Sequence, residues 1–302
     1  MKNTVIIGAS GFLGKHLVMD GVMRPSSNQL NLLETDSINA FFEKEKVNKI
    51  IFLAAICGGI GLNKKRPADL THLNLKMIVN LFDCIRRFNI EHLYSVGSVC
   101  SYPCHCDIPF KEENMWNGKS EFTNRGYGEA KKMLITEFQT HKRQYRLKGA
   151  VLVPTNMFGP HDHFDLTNSH VIPALIRKFF TAVENKDETV ELWGTGGVTR
   201  EFLYVEDAAE AILKAVLSNL DYDEPINLGT GRDISIKELA KMIANLCGYR
   251  GKIVFNSNMP DGQPKRMLDV SRAKQVLGWE AKTSLLEGLI RTISWYEDNR
   301  EG

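Results

Sequence analysis

A doubly wound α/β fold, a parallel sheet with helices on both faces, is what this chain predicts, and three observations carry the prediction. A short β-branched run over residues 4–7 passes directly into a glycine-rich turn, Gly8-Ala9-Ser10-Gly11-Phe12-Leu13-Gly14, and helical character continues through residues 16–19. Strand-like runs recur over 49–55, 92–98 and 149–156. Helix-like stretches over 73–89 and 127–142 follow two of them, an alternation that builds parallel sheets between helical layers.

The opening unit has the physical logic of a dinucleotide site. The first glycine permits a tight turn, the second lets the backbone approach a pyrophosphate, and the third lets helix pack on strand. Phosphates meet the unpaired N–H groups at the helix start. The spacing is G-x-x-G-x-x-G rather than G-x-G-x-x-G. An acidic residue about 20 positions on would hold the ribose of NAD. Glu34 and Asp36 fall near that distance, but 30–36 reads as the start of the next helix. Arg24 is better placed for a 2′-phosphate, so NADPH is expected over NADH. Only ten residues separate Gly14 from Arg24, very few for a helix and a full strand.

Ligands of such sheets bind beyond the carboxyl ends of the strands. Ala54 and Ala55, the stretch Ser98 to Cys100, and Pro154 to Asn156 occupy such ends. Farther on, 201–205 and 225–228 read as strands able to return to the main sheet. Ser235 and Glu238 have the spacing of a capping box that opens a helix to about Cys247. Residues 285–299 read as helix. The expected organisation is a Rossmann-type unit over 1–163 plus about 201–231. A smaller, mostly helical substrate unit takes about 164–200 plus 232–302.

Tyr127 and Lys131 lie four apart, hence on one helix face. An ammonium there favours the phenolate and is expected to lower the tyrosine pKa toward neutrality. A phenol so tuned can protonate a carbonyl oxygen as hydride reaches its carbon.

Bulk properties narrow the class. The 302 residues are 43% apolar and 25% charged with net charge +2, and no Lys/Arg block marks a nucleic-acid surface. No apolar run approaches the ~18 residues a bilayer requires. The apolar start is accounted for by the glycine turn rather than by a leader. The six cysteines mostly sit within apolar strand or helix patterns, as free thiols of a reducing cytosol do. Cys100, Cys104, His105 and Cys106 are too close together for the two separated pairs of a structural zinc site, so no metal is expected.

Read in order, the motifs resemble the GDP-L-fucose synthase family of extended short-chain dehydrogenase/reductases. The carriers are Ala54-Ala-Ile-Cys-Gly-Gly-Ile60, Arg66-Pro-Ala-Asp69, Gly97-Ser-Val-Cys-Ser-Tyr-Pro103 and Tyr127-Gly-Glu-Ala-Lys131. They continue with Pro154-Thr-Asn-Met-Phe-Gly-Pro-His-Asp162, Asn168-Ser-His-Val-Ile-Pro-Ala174, Trp193-Gly-Thr-Gly196 and Arg200-Glu-Phe-Leu203. Asn227-Leu-Gly-Thr-Gly231 and Pro260-Asp-Gly-Gln-Pro264 close the series. The resemblance implies an enzyme that epimerises GDP-4-keto-6-deoxy-D-mannose at C3 and C5 and then reduces C4 with NADPH. It implies Ser98 and Tyr127 as donors to the C4 oxygen, Cys100 as epimerisation base, His170 as partner acid, and Lys131 on the nicotinamide ribose. The cofactor would further meet residues 8–14, Arg24, Ala54, Ala55, Gly97, Ser98, Pro154, Thr155, Asn156, Met157 and His170. Lys178 and Arg200 would hold the substrate diphosphate, with Trp193 and Asp261 as further substrate contacts. A homodimer in the cytoplasm is implied as well.

The chain departs from the family in three places. Val99 stands where a serine is common, 101–106 is unusual, and the stretch from Gly14 to Leu30 is roughly seven residues short. Those departures leave open a related GDP-sugar, such as a GDP-heptose, or a cofactor-poor relative without catalysis.

Overall fold

The computed structural model describes residues 3–165, 169–259 and 261–300. Asn168 and Pro260 of the motif segments lie outside them. In chain order the first elements are β1 (Thr4–Ile7), α1 (Phe12–His16), α2 (Thr35–Lys44), β2 (Lys49–Phe52), α3 (Ile60–Lys65), α4 (Pro67–Arg87), β3 (His92–Val96) and α5 (Arg125–Tyr145). Next come β4 (Lys148–Pro154), β5 (Asn156–Phe158), α6 (Val171–Asn185), β6 (Thr189–Trp193), β7 (Thr199–Tyr204) and α7 (Val205–Leu217). The chain ends with β8 (Ile226–Leu228), β9 (Asp233–Ser235), α8 (Ile236–Leu246), β10 (Lys252–Asn256), β11 (Lys265–Arg266) and α9 (Leu285–Asn299).

The main sheet runs β1-β2-β3-β4-β8, parallel throughout. One face buries a core with Ile78, Leu81 and Phe82 of α4 and Leu134, Ile135 and Phe138 of α5. The other buries Leu13 with Ala208, Ile212 and Val216 of α7. Both faces being covered makes the strands near-continuous apolar runs, and all four residues of β1 are buried. A third core joins Ile172, Phe179, Leu192, Leu239, Ile243 and Leu289.

Three elements differ from the sequence reading. The expected helix over residues 12–19 stops at His16, with Leu17 as its cap. What would be the second strand is one residue, Met23, bridged in parallel to Val5 on the free side of β1. Measured against the strand order 3-2-1-4-5-6 of a Rossmann fold, the outer half is nearly gone. The shortening thus falls on helix and strand together.

The strand expected over 201–205 forms but does not rejoin the main sheet. As β7 it pairs with β5, β9 and β11. The C-terminal part is therefore less helical than expected, since β6 and β10 form a second small sheet. Residues 273–279, assigned by sequence to that part, pack Ala273, Leu277 and Trp279 onto the main sheet.

Two helices position the segments after β2 and β3. α4 starts with Pro67 in its first turn and buries Leu70, Met77, Ile78, Leu81 and Ile85, an i, i+3/i+4 stripe. Asn74 lies in that stripe, and its amide clamps Ile56 by accepting its N–H at 3.0 Å and donating to its carbonyl at 2.8 Å. The segment leaving β2 is fixed by that clamp. In α5, Gly128 faces the carbonyl of Cys100, where a Cβ would come within 2.2 Å. The helix bearing Tyr127 and Lys131 therefore lies directly on the turn bearing Cys100.

Candidate active site

The glycine turn forms a cradle that side chains would fill. Gly8 has φ +92°, and a Cβ there would stand 2.7 Å from the backbone nitrogen of Ala54. A Cβ on Gly14 would stand 2.3 Å from the Gly8 carbonyl and 2.7 Å from the Ala9 Cα. Backbone, not a flexible side-chain end, is the obstacle at both places, so residues 8–14 and Ala54 fit the close approach a dinucleotide phosphate makes. Gly14→Ala is expected to open the turn, costing about 1–3 kcal/mol of stability in urea unfolding, with a parallel loss of NADPH binding by titration calorimetry. Arg24, expected opposite a 2′-phosphate, turns back on this unit: Nη1 donates to the Leu17 carbonyl at 2.7 Å and Nη2 to the Gly14 carbonyl at 2.6 Å.

The residues expected to handle protons gather where the turn after β3 meets α5. Ser98 caps the short turn Val99–Ser101 by accepting the N–H of Cys100 at 3.1 Å. Its hydroxyl also faces the Tyr127 phenol and favours the ionised form. Lys131 is almost wholly buried and donates to the Val96 carbonyl at 2.8 Å, with Nζ 5.8 Å from the centroid of the Tyr127 ring.

The expected lowering of the tyrosine pKa is corrected here. Burial pushes the Tyr127 phenol well above its ordinary range, the thiols of Cys57 and Cys100 push it further, and the Ser98 hydroxyl only opposes them. Burial lowers Lys131 to about 8. At neutral pH the pair is thus a phenol beside an ammonium.

His170 caps the start of α6 from extended backbone, its ring half exposed and its Nδ1 4.0 Å from Asp162 Oδ1. Thr155 and Asn156 carry β4 into β5. The Thr155 N–H donates to the Leu228 carbonyl at 2.9 Å, and Asn156 Nδ2 donates to the Glu201 carbonyl at 2.9 Å.

Of the four expected substrate residues, Lys178 lies on α6, Trp193 ends β6, Arg200 is in β7, and Asp261 lies in the loop between β10 and β11. Lys178 Nζ donates to the Glu191 carbonyl at 3.1 Å, and burial lowers its pKa. Trp193 is 58% exposed, a large ring presented to solvent at the end of β6. Asp261 commits both carboxylate oxygens to Thr195, each at 2.8 Å. Its carboxylate therefore holds the turn after Trp193. Arg200 is lowered to about 10 by burial and by the neighbouring Arg266.

Sequence reasoning missed Arg266. It is buried, pairs in register with Arg200, and directs Nη1 at Cys100 Sγ at 3.8 Å. Gln263 and Glu121 hold its other nitrogens at 2.7 and 3.8 Å. An Arg after a Lys carries no spacing signal. Glu201 was also missed: fully buried, it accepts backbone N–H groups from Thr230, Gly231 and Leu268 at 2.6, 2.7 and 2.8 Å. A lone Glu inside an apolar strand was its signal. Cys104, His105 and Cys106 line a separate cavity of about 490 Å³ with Gln263 and Lys265.

The chain thus carries a glycine-turn cradle after β1 and a Ser-Tyr-Lys cluster after β3, and residues 4–229 match the NAD dependent epimerase/dehydratase family. The chain belongs to that family. Among members of known function it is 38% identical to the GDP-L-fucose synthase of Escherichia coli strain K12, over 91% of this chain and 88% of the relative. Among solved structures it resembles a GDP-6-OMe-4-keto-L-xylo-heptose reductase from Campylobacter jejuni, with TM-score 0.90, 28% identity and 98% of each chain covered. A GDP-L-fucose synthetase from Naegleria fowleri bound to NADP superposes with TM-score 0.87 at 25% identity, over 99% of this chain and 95% of the other. Membership in an NAD dependent epimerase/dehydratase family agrees with a glycine turn built for close backbone approach.

Proposed function

We propose that this protein is a bifunctional epimerase/reductase that converts GDP-4-keto-6-deoxy-D-mannose to GDP-L-fucose with NADPH. The carrying observation is the convergence of Ser98, Tyr127 and Lys131 with Cys100 under two guanidiniums, Arg200 and Arg266. The E. coli relative and the NADP-bound Naegleria structure support the substrate and the cofactor.

A ketone at C4 acidifies the hydrogens at C3 and C5. Cys100 removes each proton, and the charge that gathers on the C4 oxygen is met by the hydroxyls of Ser98 and Tyr127. His170 returns a proton to the opposite face of the carbon. The nicotinamide cofactor, when bound in the cradle, supplies the hydride for C4. Tyr127 then gives its proton to the C4 oxygen, and the Lys131 ammonium steadies the phenolate left behind. Arg200 and Lys178 bind the diphosphate as fixed positive charge. The part carrying α6, β6, α8 and β10 would supply the nucleotide side, with Trp193 presented by the turn that Asp261 holds.

The test is NADPH oxidation with GDP-4-keto-6-deoxymannose in deuterated water, the product read by NMR. Deuterium at C3 and C5 with a reduced C4 is expected. One observation favours a second reading: the Campylobacter neighbour is named a heptose reductase. Oxidation of NADPH without deuterium uptake would select that plain 4-reductase reading.

We further propose a homodimer in a reducing, cytoplasmic compartment. Val79 on α4 and Met133 on α5 are 55% and 44% exposed on two helices that pack together, and all six cysteines are unpaired. Sedimentation analysis measures the assembly.

A further inference from the structure

We infer that Arg24 is a positioning residue for the dinucleotide turn, replacing with one side chain the helix and strand this chain lacks. The reading rests on the cofactor site proposed above and adds to it how the turn keeps its shape.

A five-residue helix is too short to hold itself. Its last carbonyls have no partners within the helix and carry the negative end of its dipole. Arg24 meets that end. One nitrogen, Nη1, takes the Leu17 carbonyl just past the helix at 2.7 Å. The other, Nη2, reaches both ends of the turn at once, Gly14 at 2.6 Å and Ala9 at 3.3 Å. A planar guanidinium fork can join these three acceptors, which a point charge cannot do equally well.

The lever is anchored at its base. Met23, the residue before it, donates to the Thr4 carbonyl at 2.9 Å and accepts the N–H of Ile6 at 2.9 Å. Those are residues of β1, the strand that leads into the turn. The backbone of Arg24 is therefore registered to β1 on one side, and its side chain to the turn on the other. In an unshortened fold a full helix and a full second strand would do this work. Here the position that would read the ribose holds the turn instead.

The two roles differ in what they do to NADH, which has no 2′-phosphate. Dissociation constants for NADH and NADPH are measured by calorimetry on the full chain and on Arg24→Met, with GDP binding as the control for an intact nucleotide-sugar side. Expected is a rise of about tenfold or more in the NADH constant, matched by NADPH, with GDP binding unchanged. Arg24→Gln, which keeps two N–H donors without the charge, is expected to recover part of the loss. It also decides the matter should Arg24→Met fail to bind GDP. An NADH constant that moves by less than about threefold overturns the inference, whether or not NADPH weakens. An unsubstituted chain that binds neither dinucleotide would instead defeat the cofactor reading itself.

Discussion

Tyr127→Phe is expected to abolish reduction at C4 while leaving dinucleotide binding and folding in place. The ring stays and only the hydroxyl goes, so packing against α4 and the Cys100 turn is retained. What is lost is the proton for the C4 oxygen, worth about 10²–10⁴-fold in the rate of hydride transfer. Single-turnover NADPH oxidation reads this directly. The pH dependence follows from the pair. Tyr127 is pushed well above its ordinary range and stays a protonated donor through neutrality. Lys131, lowered by burial to about 8, loses its charge as pH rises through that value. The kcat/KM for reduction should therefore fall on the alkaline side with a midpoint near 8, the Lys131 titration, and no limb from Tyr127 should appear around neutrality. An alkaline limb that survives unchanged in Lys131→Met would remove Lys131 from this role.

Cys100→Ser should separate the two halves of the reaction. The substitution keeps size and the N–H bond to Ser98, but an alcohol is a far weaker base than a thiolate. Uptake of solvent deuterium at C3 and C5 is expected to drop by about 10²–10⁴-fold. Reduction should continue and yield a GDP-6-deoxyhexose that keeps the substrate configuration at C3 and C5. NMR of the product distinguishes the outcomes. Should this variant and Tyr127→Phe lose the same step, the division of labour between thiol and phenol is wrong. Cys100 is held from two sides: the buried Arg266 directs Nη1 at its sulfur, and its backbone carbonyl lies against Gly128 of α5.

Much of the candidate site was legible in the chain because it is local. Tyr127 and Lys131 share a helix face by spacing alone, and the glycines at 8, 11 and 14 specify a turn between strand and helix whatever lies around them. The strand at 92–96 and the turn after it were likewise readable from one apolar run ending in Ser98. Roles that depend on distant chain were not. Arg266 comes 166 residues after Cys100, and its approach depends on β11 pairing with β7. Arg24 was read in sequence as facing a 2′-phosphate, and in the fold its guanidinium lies on three backbone carbonyls.

By itself, then, the sequence determined the parallel α/β class, the glycine turn between strand and helix, and which side chains are candidates for proton handling. Periodicity and short spacings encode those directly. Only the tertiary structure decided the ionisation of Tyr127, which burial and two thiols set against a lysine held 5.8 Å from its ring. The tertiary structure also decided that β7 leaves the main sheet, and that a shortened first unit is braced by Arg24. Each of these rests on desolvation or on hydrogen bonds between segments far apart in the chain, and such energies exist only once the segments have met.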